Sequence, residues 1–285
     1  MVIGDFVIRT IFSDYYIEIG RIVPITVKVH VDVLNKMRKP ISNFSMVILG
    51  MREDYHQKIE KIYSEYPIIT DRDIYGNVYH KLEMPLIRPK RSIRISIRYK
   101  IRTFPIRTVE NGSMYEYKKS DIERYLHLQP LQKHTHSKIK EIASKLLGSN
   151  NMDTIRKVAM WVYRNIRYEK TYIRYSVTDT LYRRKGSCLS ISDLTVALLR
   201  SLKIPATVVR GMYMENPHAW VEAYIPRSRG YVPVPIDVLS GFVGAIGSLW
   251  FSHYLEKSTR DKEVFLDQKS KVAIKQGIQI VYDGD

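Results

Sequence analysis

The chain has 285 residues, enough for one large domain or two ordinary ones with a substantial core. Hydrophobic residues make up 45%, usual for a folded globular protein, so disorder is excluded as the default. A single cysteine excludes an internal disulfide and a cysteine-rich zinc site, while a net charge of +17 is compatible with acidic partners, nucleic acid or an anionic surface.

Basic residues are spread along the chain without a polybasic tail, so a highly charged surface of the thermophilic kind is the plainer reading, and nucleic-acid binding is not favoured. The first twenty residues carry early acidic side chains and no basic-then-apolar signal pattern. The longest nearly uncharged apolar stretch, 238–250, is shorter than the roughly 20 residues that a spanning helix needs. The expectation is a cytoplasmic protein with no membrane span.

Residues 25–33 alternate strictly, with Ile25, Val27, Val29, Val31 and Val33 on one side and Thr26, Lys28, His30 and Asp32 on the other. That period predicts a half-buried strand. Residues 93–101 repeat the pattern: Ile93, Ile95, Ile97, Tyr99 and Ile101 share a face, and Arg94, Ser96, Arg98 and Lys100, continued by Arg102, form the reverse. A cation ladder suits phosphates, but the solvent side of an antiparallel strand is the simpler assignment. Residues 44–49 read as another strand, and Asp73-Ile-Tyr-Gly-Asn77 as a turn. Short strands between turns predict a β-sandwich over 1–112, with a linker starting at 109–113. His127 and the His134/His136 pair follow it; no cysteine or acidic cluster stands near, so no metal site is expected.

Helical spacing then takes over. Ile139, Ile142, Ala143, Leu146 and Leu147 mark one helix ended by Gly148. Asp153 is the expected cap of the next, whose buried stripe is Ile155, Val158, Ala159, Val162 and Ile166.

The chemistry concentrates in 181–240. Cys188 follows Gly186-Ser187 and opens a helix with Ile191, Leu194, Leu198 and Leu202 at three- and four-residue steps. Gly186 permits an unusual backbone angle there. A first-turn thiol sits at the positive end of a helix, which favours a thiolate nucleophile, and free N–H groups there can receive an oxyanion. A strand over 207–212 and a turn at Asn216-Pro217 lead to His218, which heads a second alternating strand. On it Ala219, Val221, Ala223 and Ile225 face one way, and His218, Trp220, Glu222 and Tyr224 the other. Asp237 ends the next strand, 232–237. Thiol, imidazole and carboxylate form a nucleophile, base and orienter set if the fold brings them together.

The run Arg-Arg-Lys-Gly-Ser-Cys188, the turn Lys-Ile-Pro-Ala, the strand His218-Ala-Trp-Val-Glu and Gly230-Tyr-Val-Pro-Val together resemble the transglutaminase-like superfamily, in its microbial cysteine-protease branch. Residues 120–245 carry the resemblance best; Asp73 to Asn77 resembles a turn of the β-sandwich that often precedes the catalytic domain. The resemblance implies an α+β fold: a papain-like core over 113–285, its cysteine helix packed on an antiparallel sheet. It implies catalysis by Cys188, His218 and Asp237 through a thioester, without cofactor or metal, on a protein or peptide substrate. Tyr168 or Trp220 would lie near the oxyanion or substrate groove. The family places its aspartate four residues after an aromatic, which here is Pro235, so a small bulge is expected to deliver Asp237 instead. The implied activity is hydrolysis of peptide or glutamine carboxamide. The alternatives are cross-linking of glutamine to amines, a non-catalytic module that keeps the fold, and a nucleic-acid-binding basic protein. Residues 239–250 read as a loop flanking the cleft or as an interface, and 272–280 as further strand.

Overall fold

In the computed structural model the two alternating stretches are hydrogen-bonded to each other. The structure describes residues 6–9, 16–19, 22–42, 45–73, 75–107, 116–126, 136–247, 250–255, 264–266 and 272–282. A hairpin, β1 (Phe6–Arg9) and β2 (Tyr16–Ile19), comes first. Then follow β3 (Val23–Asn35), β4 (Ser45–Leu49), β5 (Gln57–Ser64), β6 (Ile69–Arg72), β7 (Val78–Glu83) and β8 (Ser92–Thr103). β3 pairs antiparallel with β8, from Val23 opposite Thr103 to Leu34 opposite Ser92, and β5 takes the far side of β8. β4, β7 and β6 lie in a second sheet.

Alternation became burial as expected. Ile25, Val27, Val29, Val31 and Val33 are buried, as are Ile95, Ile97, Tyr99 and Ile101 of β8. Met46 and Ile48 of β4 and Val78 and Leu82 of β7 are buried too. The rings of Tyr99 and His80, one from each sheet, lie 5.7 Å apart, so the two apolar faces oppose one another in a sandwich. Asp73 accepts from the Tyr75 and Asn77 N–H groups at 2.9 and 3.0 Å, with Gly76 at φ 79, so the expected turn is present.

The next elements are β9 (Ile106–Arg107), α1 (Lys119–Glu123), α2 (Ser137–Ser144), α3 (Asn151–Asn165), β10 (Arg167–Tyr168), α4 (Val177–Arg183), β11 (Lys185–Gly186) and α5 (Cys188–Ser201). After α5 come β12 (Ala206–Tyr213), β13 (Asn216–Pro226), β14 (Tyr231–Asp237), β15 (Phe242–Val243) and β16 (Ala245–Ile246). β12 to β15 form an antiparallel meander, and β16 pairs with β9. The helix cap at 153 is corrected: Asn150 caps α3 by accepting from the Asp153 N–H at 2.8 Å. α2 ends at Ser144, short of Gly148. Residues 239–250 are not a free loop, since β15 and β16 fold back with Val238, Phe242, Ala245 and Ile246 buried; 248 and 249 lie outside the described residues. His127, His134 and the linker at 109–113 also lie outside them. His136 caps α2, its Nδ1 accepting from the Lys138 N–H at 3.3 Å.

The chain continues through β17 (Trp250–Leu255), a strand of the β12 to β15 sheet, and then returns to the sandwich through β18 (Val264–Leu266) and β19 (Val272–Tyr282). β18 pairs with β4, and β19 pairs with β3 from Val272 opposite Asn35 to Tyr282 opposite Ile25. The division at 112/113 therefore does not hold. One unit comprises 22–103, 251–254 and 261–285; the other comprises 1–21, 104–250 and 255–260. The physical reason is the second edge of β3, whose backbone groups need a partner that no neighbouring segment supplies. Among the described residues no helix is long and apolar enough to cross a membrane.

Candidate active site

Cys188 is the first residue of α5 and is partly exposed. Ser187, extended at φ −70 and ψ 171, caps the helix by accepting from the Ser190 N–H at 3.4 Å. Gly186 is required for space and not for an unusual angle: it is absent from the positive-φ glycines, and a Cβ there would lie 2.8 Å from Ser190 Cβ. This close corner lets β11 pair in parallel with β10, Tyr168 level with Gly186. The Tyr168 side chain is half exposed, and its phenol is pushed above the ordinary value, first by partial burial and then by the charge of Cys188. The Tyr168 hydroxyl is thus within electrostatic range of Cys188.

The residues after the cysteine were expected to form a one-sided stripe, yet every residue from Ser190 to Arg200 is buried. The helix is enclosed by α2, α3 and α4 on one side and by β12 and β13 on the other. Polar residues inside it are consequently paired. Asp193, fully buried, accepts two bonds from Arg174 at 2.8 and 2.7 Å. Arg200, 1% exposed, donates twice to the Ala206 carbonyl at 2.9 and 2.6 Å, fixing the start of β12. Sequence reasoning missed both; the available signal was charge within the otherwise uncharged run 189–200.

His218 lies on β13, level with Gly211 of β12. The turn before it is at 214–215, with Met214 at φ 51, and Asn216-Pro217 already belong to the strand. β13 pairs with β14 in an unbroken register, Val221 opposite Ile236 through Pro226 opposite Tyr231. One further step sets Asp237 level with Trp220. Level residues share a face, as do residues two apart on one strand, so Asp237 is a diagonal neighbour of His218. The expected bulge at Pro235 is absent and unnecessary. Pro235 is level with Glu222, four residues or roughly 13 Å along the strand from His218, too far for a carboxylate at 235 to reach.

The structure brings His218 and Asp237 together directly: His218 Nε2 lies 2.8 Å from Asp237 Oδ2. Asp237 is itself held by the Ser240 hydroxyl at 2.9 Å on Oδ2 and by the Leu239 and Ser240 N–H groups at 3.1 and 3.4 Å on Oδ1. The Asp-x-x-Ser spacing was the unused signal for this local turn. Trp220 and Tyr213 flank the imidazole with ring centroids 6.2 Å away on each side. Cys188 lies close enough to the ring to act on it electrostatically. Burial pulls the imidazole's pKa down, but the Asp237 charge and hydrogen bond, reinforced by Cys188, reverse this and push it up to about 10. The ring is accordingly an imidazolium at neutral pH, able to give up a proton.

The other residues on this face of β13 turn inward. Tyr224 stacks on Tyr125 at 5.3 Å and donates to Glu222, both being buried. The face is closed through its middle and open at its ends, where His218 is half-buried and Asn216 and Pro226 are exposed.

Residues 140–236 match the transglutaminase-like superfamily. This segment is a transglutaminase-like core. No curated protein matches the chain. Among solved structures, a candidate cysteine protease from Cytophaga hutchinsonii is similar over 92% of this chain and 92% of its own, at 17% identity and a TM-score of 0.60. Looser matches are LapG of Legionella pneumophila, 12% identical over 54% of this chain and 92% of its own with a TM-score of 0.36, and a candidate protease from Parabacteroides distasonis, 14% identical over 80% of this chain and 48% of its own with a TM-score of 0.34. The mixed helix and sheet architecture expected from the sequence is thus the fold of this core.

Proposed function

We propose that the chain is a thiol-dependent acyl-transfer enzyme that hydrolyses peptide or glutamine carboxamide bonds. The observation that supports this best is the 2.8 Å contact of His218 with Asp237 on a ring that also feels Cys188 at the start of α5. In this reading the Cys188 sulfur adds to the carbonyl carbon, and the Cys188 N–H and the Tyr168 hydroxyl receive the oxyanion. The C–N bond breaks as His218 gives its proton to the departing amine, leaving a thioester. Neutral His218 then takes a proton from water as that water attacks, releasing the carboxylate and the sulfur. Asp237 keeps the ring oriented and favours its charged form. Hydrolysis is preferred over amine transfer by likeness of fold to the Cytophaga hutchinsonii protein, which is an analogy at the level of the fold.

The test is mass spectrometry of a glutamine-containing protein incubated with the enzyme and a labelled amine. Cleavage or deamidation, lost in Cys188→Ala, is the expected result. Incorporation of the amine would replace hydrolysis with cross-linking. No reaction, with Cys188 alkylated by iodoacetamide no faster than free cysteine near pH 6, would leave a non-catalytic module.

A further inference from the structure

The outer face of the sandwich sheet β3–β8–β5 departs from ordinary strand design. On β8 it carries Arg94, Arg98, Lys100 and Arg102; on β3, Lys28; on β5, Lys58 and Lys61. The carboxylates that answer them are Asp32, paired with Arg94 at 2.7 Å, and Glu60, paired with Arg102 at 2.5 Å. The pairing register sets like charges level with one another three times: Lys28 with Arg98, Lys61 with Lys100, and Lys58 with Arg102. Like charges level across an antiparallel pair destabilise a sheet. Tyr63 relieves part of this, with Lys61 and Arg98 lying 4.8 and 5.6 Å from its ring centroid. A face that keeps such a pattern gains most when an anionic partner lies on it.

We propose that this face binds an acidic polypeptide in extended conformation, with Asp or Glu at alternate positions. Cations two residues apart on β8 repeat at roughly 6.8 Å, and side chains on one side of an extended peptide repeat at the same interval. Nucleic acid is the less suitable occupant, because sheets that bind it offer open aromatic rings for base stacking. Tyr63, the aromatic side chain that β5 adds to this face, is covered by Lys61 and Arg98. Taken with the hydrolase reading, on which this further step rests, the face is a docking site for acidic protein substrates, separate from the thiol chemistry.

The measurement is fluorescence anisotropy of a labelled fifteen-residue peptide alternating Glu and Thr, mixed at about 50 mM salt with full-length Cys188→Ala protein so that the peptide stays intact. Binding is expected to weaken steeply with salt. It should fall at least about tenfold in Lys28→Glu/Lys100→Glu, where Lys28 and Lys100 have no carboxylate partner among the described residues. The same double variant should keep or raise the thermal midpoint, because two like-charge pairs become opposite-charge pairs. A lower midpoint accompanying the lost binding would make the face structural and overturn the proposal. Absence of binding, binding indifferent to the double variant, or tighter binding of a fifteen-nucleotide oligothymidylate or of phosphatidylserine vesicles would also overturn it. Cleavage of a neutral unfolded substrate by the unsubstituted protein is scored separately, so the hydrolase reading and the docking reading can fail independently.

Discussion

The two units contain the same ion pair in two settings. Arg174 meets Asp193 through two bonds of 2.8 and 2.7 Å, and Arg94 meets Asp32 through two of 2.7 and 2.9 Å. The side chains of the first pair are 18% and 0% exposed; those of the second are 63% and 27% exposed. Contact geometry is nearly identical, so any difference in energetic weight must come from water. In the sandwich, solvent solvates whichever partner remains. Within the transglutaminase-like unit, removing one partner strands the other in the interior. The two ion pairs thus differ in setting and not in geometry, although each unit holds charges of both kinds: Arg52 and Asp54 are buried in the sandwich, and Lys138 and Glu141 are exposed in the other unit.

The strongest effect is expected where, in the proposed mechanism, an internal charge also orients the base. Asp237→Asn should lower kcat between about a hundredfold and ten-thousandfold, read by peptide release under saturating substrate. pH sharpens the same point. His218 is held up to about 10 against an ordinary 6.5, so its charged form persists through neutral pH. Activity should decline as pH rises through about 10, and Asp237→Asn should move that limb to lower pH. The sign for stability agrees: a raised folded value contributes fully below about 6.5 and is lost as pH climbs through about 10.

Next in size is Arg174→Ala, which leaves Asp193 buried without its cation. A loss of about 3–5 kcal/mol is expected, measured by denaturant unfolding of the full chain. An effect below about 1 kcal/mol would dissolve the contrast between the two ion pairs. His80 tests the sandwich from the opposite side, since it is a titratable group buried in that unit. Burial first, and the Arg72 charge second, lower it to about 4. Stability of the sandwich should thus fall as pH drops from 6.5 towards 4, by up to about 3 kcal/mol, and His80→Leu should abolish that slope. The smallest effect is Arg94→Ala, which should leave the unfolding midpoint unchanged within error.

Local pattern carried much of this into the sequence. The period-two runs of β3 and β8 and the start of α5 at Cys188 could be read directly, because each is decided within ten or so residues. Parity also gave His218 its face. What escaped was set by partners distant in the chain. The position of Asp237 follows from a register counted back from the 226/231 turn, so no bulge at Pro235 was needed. Gly186 is dictated by the approach of Ser190 and not by its own dihedral angles. The division at 112/113 failed because β3 finds its second neighbour in β19, almost the whole chain away.

That last pairing has a consequence for how the protein is made. About 170 residues separate the end of β8 from the start of β19. At the roughly 5–20 residues per second of ribosomal synthesis, one edge of β3 waits on the order of 10 to 30 s for its partner. The entire transglutaminase-like core emerges during that interval, within what amounts to an insertion in the sandwich. The nascent chain thus carries an open sheet edge while its thiol-bearing helix is already complete, and it is in this window that a chaperone or a second nascent copy has its opportunity.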